Sequence, residues 1–271
     1  LQMELGKANA QLIGTGKSAK DISGELLDTF GTLDSINAKN IADIGRLSAG
    51  FGVATKDVIG LQKALTDTLG VSVNQSEAII DNIGQLAKQE GVAAGKVIED
   101  IAANTEKFAA FAKGGADGFA QAAIEAAKIG TNLSTILTAA DSLLDFESSL
   151  TNEFEAQVLT GKNLNLEKAR QLALDGDIAG LTQEIQQQVG SMGDLQAMNV
   201  VQRKSLADSI GITVDQLTKI SRGEAVAAEE TVQDLQKKTN EILKAGFSED
   251  KEKMDELIST TAANSQTTIY E

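Results

Sequence analysis

Gly14-Thr15-Gly16-Lys17-Ser18 is the stretch that looks most like chemistry, because it has the form of the end of a phosphate-binding loop. Such a loop cradles phosphates with backbone N–H groups and needs a glycine five residues ahead of Gly16, where this chain has Gln11. It also needs a hydrophobic strand to aim it, and the preceding ELGKANAQLI reads as helix. No later apolar strand ends in an aspartate that could hold magnesium. The spacing therefore predicts a polar turn.

Two acidic pairs, Asp145 with Glu147 and Glu153 with Glu155, have the residue types of an acid and base for sugar hydrolysis. Residues two apart on a helix point away from each other, which spoils a shared site, and aromatic platforms for sugar rings are absent. Solvated helix faces are the expected role. Ser205 to Ile220 reads as two short helices about a glycine, the outline of a helix-turn-helix. A DNA reader carries basic residues on its second helix, and here that helix holds Asp215, Gln216 and Lys219, with Arg222 just beyond. Helical packing is the expectation there too.

Composition narrows the chemistry further. The 271 residues contain no cysteine and no histidine, which removes disulfides, thiolate sites and most zinc and transition-metal chemistry. Only oxygen-ligand sites remain, and no cofactor is expected. With 24 Lys and Arg against 39 Asp and Glu, the net charge is −15. No basic run offsets it, so sequence-specific nucleic-acid recognition is disfavoured. No run approaches the roughly 18 apolar residues of a membrane-spanning helix. The start of the chain has no signal-peptide pattern, and opening on Leu1 suggests a processed product or a piece of something longer.

The elements that would position any such residues are helical. Proline is absent and aromatic residues make up only 3%. Proline breaks helices, and few large rings means thin helix–helix seams, so an all-α fold is expected. From Leu26 a heptad runs through Phe30, Leu33, Asn37, Asn40, Ile44, Leu47, Phe51, Ala54, Val58, Leu61 and Leu65. Asparagine buried in a coiled coil costs stability but fixes register. Gly31, Gly45, Gly50, Gly52 and Gly60 weaken a single helix, with a break expected near Gly50–Gly52. Two arrangements fit: self-association through this stripe, or a helical hairpin packed within one chain. Residues 1–69 are accordingly assigned to an elongated, partly coiled-coil segment.

Residues 70–222 read as a compact array of short helices. Ser72 with Gln75 and Thr213 with Gln216 have capping-box spacing. Gly161, Gly176, Gly190 and Gly211 each follow a pulse of apolar residues and are expected helix ends, and Gly114 to Gly118 an exposed loop. Leu143, Leu144, Leu150, Phe154 and Val158 recur at helical spacing. Residues 223–271 read as amphipathic helices, with Val232, Leu235 and Ile242 ending at Gly246 and Met254, Leu257 and Ile258 following, then a polar tail.

Within this array, LLDFESSLTNEFEAQVLTGKNLNLEKARQLALDGD and QVGSMGDLQAMNVVQRKSLADSIGITVDQL, over about residues 141–220, resemble a segment of phage tail tape measure proteins, mainly of contractile-tailed phages. The resemblance implies a structural virion protein and not an enzyme, and brings no catalytic residues. It implies a chain made in the host cytoplasm that occupies the tail tube lumen or its baseplate end, sets tail length, and leaves ahead of the DNA. The implied partners are the tail hub, baseplate and tube proteins, and further copies in a homotrimer or other homo-oligomer. Two other roles of such proteins remain as alternatives: a membrane-perturbing, channel-forming segment with transient membrane contact at ejection, and a peptidoglycan-cleaving domain.

Overall fold

Polar side chains that can satisfy free backbone groups punctuate this chain, and helices begin and end at them. A computed structural model describes residues 2–32, 36–111, 114–191, 193 and 195–223. The amphipathic helices expected beyond Gly223, and Leu33 of the heptad, lie outside the described residues.

The order is α1 (Gln2–Gln11), α2 (Ala19–Phe30), α3 (Ala38–Phe51), α4 (Thr55–Leu69), α5 (Val73–Gln89), α6 (Ala94–Ala103) and α7 (Phe108–Phe111). There follow α8 (Gly115–Lys128), α9 (Leu133–Leu144), α10 (Phe146–Thr160), α11 (Glu167–Leu174), α12 (Ile178–Ser191), α13 (Val200–Ile210) and α14 (Val214–Arg222). The described residues contain no β-strand. No described helix is long and apolar enough to cross a membrane.

Both expected capping boxes are present, at Ser72/Gln75 and Thr213/Gln216, and Asn199/Gln202 forms a third. Each satisfies two backbone donors that a helix start leaves free. The expected break falls at Gly52, a left-handed residue closing α3. Gly161 and Gly211 close α10 and α13 in the same way, and Gly176, also at positive φ, follows Asp175 at the end of α11. Gly190 is not an end, because α12 continues through it to Ser191. The loop expected at Gly114 to Gly118 is a turn at Gly114 only; Gly115 to Gly118 already form the first turn of α8.

The heptad from Leu26 to Leu65 is not one elongated helix. Gly31 closes α2, and Asn37, expected as a buried coiled-coil asparagine, caps α3 by accepting the Asn40 N–H at 2.9 Å. The stripe is thereby cut into three helices that fold on one another: α2 packs on α3 and α4, and α3 on α4 and α5. Gly95 shows how tight the packing is. A Cβ there would sit 2.5 Å from the carbonyl oxygen of Phe51 and 2.9 Å from that of Gly52, so α6 reaches the α3 terminus only with glycine.

One hydrophobic core runs from Ala8 to Ile220. The hinge of the packing is α8, whose buried Ala120, Ala122, Ala123, Ala126 and Ala127 let α12, α6 and α5 lie close against it. Phe108 and Phe119 meet with ring centroids 4.8 Å apart. On the far side α9 packs on α11 and α12, and α10 pairs with α13.

Candidate functional site

The chemistry-bearing residues singled out from the sequence take up structural roles. In the 14–18 turn the Ser18 hydroxyl caps α2 by accepting the Asp21 N–H, so the residue that would face magnesium in a phosphate loop begins a helix instead. Asp145 caps α10 through Ser148. Glu147 and Glu155 are exposed, whereas Glu153 is buried, and no pair shares a site. Thr213 caps α14.

The stripe proposed for self-association is distributed as follows. Leu26, Ile44, Leu47, Phe51, Val58, Leu61 and Leu65 are buried in this chain's own core, Phe30 is half-buried, and Asn37 is exposed at its cap. Asn40 is buried and accepts a hydrogen bond from Gln62 Nε2 at 3.0 Å, within the same chain. Those side chains leave no apolar stripe at the surface. The physical reason is the cut at Gly31–Asn37: three short helices can bury one another's apolar faces, which one long helix cannot do alone.

Two ionic clusters were not legible in the sequence, because their members come from separate helices. Lys39 Nζ on α3 lies 2.5 Å from Asp43 and 2.8 Å from Glu77 on α5, and Arg46 lies 2.7 Å from Asp43. Burial pushes Glu77 up, with the Asp43 carboxylate beside it adding to the effect. Asp43 is desolvated as well, but Lys39, Glu77 and Arg46 outweigh burial and hold it below the usual carboxylate range. The second cluster is buried between α10 and α11. Arg170 Nη1 lies 2.6 Å from Glu153 Oε2 and donates to Ser149 Oγ at 3.2 Å, while Glu153 Oε1 accepts the Leu166 N–H at 3.2 Å. Both clusters tie helices together. No group of three or more acidic residues among the described residues is placed to hold a metal ion.

A cleft of about 620 Å³ opens between α6, α8 and the first turns of α9 and α14. Asp100 lines it, half-buried, and burial pushes its carboxyl up to about 6 against the pull of the Leu133 and Ser134 backbone N–H groups. A carboxyl with that affinity suits proton transfer near neutrality. Its oxygens are already engaged, however: Oδ2 accepts the Leu133 N–H and Oδ1 accepts from Asn104 Nδ2. Asp100 thus closes the start of α9 from a neighbouring helix. Gln216 Nε2 donates to Thr135 Oγ1 at 2.7 Å across the same cleft and joins α14 to α9.

Among the apolar side chains that internal packing leaves exposed, which include Ile13, Val200 and Val201, four lie on α10. Its inward face carries Ser149, Glu153 and Ala156. Its outward face carries Phe146, Leu150, Phe154 and Val158, at 47, 54, 69 and 64% exposure. The sequence shows this apolar spacing, yet the start of α10 at Asp145 separates it from Leu143, which is buried on α9. The helix differs from α3 and α9 in leaving four of its large apolar side chains at the surface. The chain matches no protein-family model, no curated protein and no solved structure.

Proposed function

We propose that this chain is a compact helical segment of a phage tail tape measure protein, a structural component seated at the hub end of the tail tube. The observation that carries this reading is the resemblance over residues 141–220. Those residues run from the end of α9 through α14 and share one core with the helices before them. The ion pairs and caps described above serve helix packing, as a structural role requires.

The fold bears on which part of a tape measure this would be. A ruler converts residue number into length at about 1.5 Å per residue only along continuous helix. The longest described helix, α5, has 17 residues, which is about 25 Å. A seat or plug suits this architecture better than the measuring rod.

The test uses tailed particles from the genome that encodes the chain. Mass spectrometry of purified tails should find it there, with immunogold label at one end. An in-frame deletion of the folded segment should leave tail length unchanged or block assembly. Shortening by roughly 330 Å, the length of about 220 residues of continuous helix, would make it a ruler and sink the proposed seat. Absence from purified tails would sink the tail assignment itself.

A further inference from the structure

We propose that the outward face of α10 is a self-docking surface on which a second copy of this chain seats its own α10, antiparallel, about a two-fold axis near the middle of the helix. The inference does not depend on the tail assignment.

The first support is the exposure of the apolar side chains of α10. A surface helix ordinarily turns its apolar residues inward and its polar residues to water. On α10 the inward face is polar and satisfied: Ser149 and Glu153 bind Arg170, and Glu153 also takes the Leu166 N–H. The apolar residues Phe146, Leu150, Phe154 and Val158 are left 47 to 69% exposed by their own chain. A contiguous exposed apolar patch of this kind marks an interaction surface more often than scattered apolar residues do.

The second support is the spacing. Phe146, Leu150, Phe154 and Val158 are each four residues apart, which makes a single ridge inclined to the helix axis. Two such ridges interdigitate in the commonest class of helix packing, at about 50° between axes. An identical ridge is thus a geometrically suitable partner, and a two-fold contact between identical patches closes on itself without forming filaments.

The third support is charge, which favours one orientation although Glu155 is also exposed along the helix. Asp145 and Glu147 stand exposed at the start of the ridge, and Lys162 stands exposed just beyond its end. Antiparallel copies bring the acidic end of each ridge to the Lys162 of the other, whereas parallel copies would set like charges together. Aligned in this way, Phe146 faces Val158, and Leu150 faces Phe154. Taking about 200 Å² for an aromatic side chain, the exposed fractions amount to roughly 400 Å² of apolar surface per copy. That is about half of what each partner buries in an interface of standard size. The contact is small, so the dimer it makes is weak and reversible.

Sedimentation equilibrium of the full chain from about 1 to 200 µM tests the proposal. The expected result is a monomer–dimer equilibrium that Phe154→Glu shifts at least tenfold toward monomer, with circular dichroism and melting unchanged. Glu147→Lys and Lys162→Glu should each weaken the dimer several-fold, and the double variant should restore it. A monomer throughout the range overturns the proposal, as does an oligomer insensitive to Phe154→Glu. Restoration by neither charge pairing overturns the antiparallel arrangement. Vesicles of phosphatidylcholine and phosphatidylglycerol provide the remaining arm: a chain that stays monomeric and cosediments with them through Phe154 has a lipid-facing ridge, and the self-docking proposal fails.

Discussion

On α3, Ile41, Ile44, Leu47 and Phe51 face the core while Lys39 and Arg46 reach solvent; on α10, Ser149, Glu153 and Ala156 face inward while Phe146, Leu150, Phe154 and Val158 reach solvent. Both helices carry apolar residues at helical spacing, and from the sequence the two patterns look equivalent. The difference lies in what each helix meets. Around α3, the helices α1, α2, α4 and α5 offer apolar faces. Below α10 lies Arg170, a buried cation that only a carboxylate can neutralise. Glu153 supplies that carboxylate, and the rotation that brings it inward turns the apolar ridge out. A buried ion pair is weak evidence for stability but good evidence for orientation, because its alternatives leave a charge stranded.

The sharpest way to break the comparison is Arg170→Ala, which leaves Glu153 buried without its partner. It should cost about 3–5 kcal/mol, read from the shift in urea unfolding. Replacing both partners, Glu153→Met with Arg170→Met, should recover most of that loss. If the single variant is nearly neutral, the pair does not set the rotation of α10. Next in size, Ile44→Ala removes a fully buried side chain and should cost about 2–5 kcal/mol. Such a loss at low protein concentration would show that the α3 stripe works inside the monomer. A stability loss that appears only at concentrations where the chain associates would assign that stripe to an interface.

Asp100 gives an effect that depends on pH. Its carboxyl is raised from 3.8 to about 6 by burial, so it binds its proton more tightly folded than unfolded. This contribution favours folding fully below about pH 4, falls as pH rises, and is gone above about pH 6. The span amounts to at most about 3 kcal/mol at 1.36 kcal/mol per unit. Unfolding free energies measured from pH 4 to 7 should show this slope, and Asp100→Asn should flatten it. A slope that survives the substitution belongs to other carboxyls, with Glu77 the next candidate. The smallest expected effect is Phe154→Ser, which should change monomer stability by less than about 0.5 kcal/mol because the side chain is largely exposed. A large loss in dilute solution would mean that the ridge is covered within its own chain.

Much of the local structure was legible residue by residue. Helix starts at Ser72 and Thr213, and ends at Gly52, Gly161 and Gly211, follow from side chains and glycines that satisfy or permit the local backbone. The break between α2 and α3 was harder to see, because the heptad continues through it. Its signal was Asn37, which has two roles open to it, a buried coiled-coil position and a helix cap. Local hydrogen bonding to Asn40 favours the cap. The clusters around Arg170 and Lys39 had no local signal, since Glu153 and Arg170 lie 17 residues apart and Lys39 and Glu77 lie 38 apart.

By itself the sequence determined that this chain is helical and where most of its helices begin and end, because propensity, capping and glycine conformation act over four or five residues. It also determined that thiolate and imidazole chemistry are absent, since those side chains are absent. Only the tertiary structure decided which apolar face each helix buries. That choice depends on residues distant in sequence: the neighbours of α3 accept an apolar face, while Arg170 beneath α10 demands a charge. Periodicity records that a helix has two unlike faces, and packing decides which of them meets water.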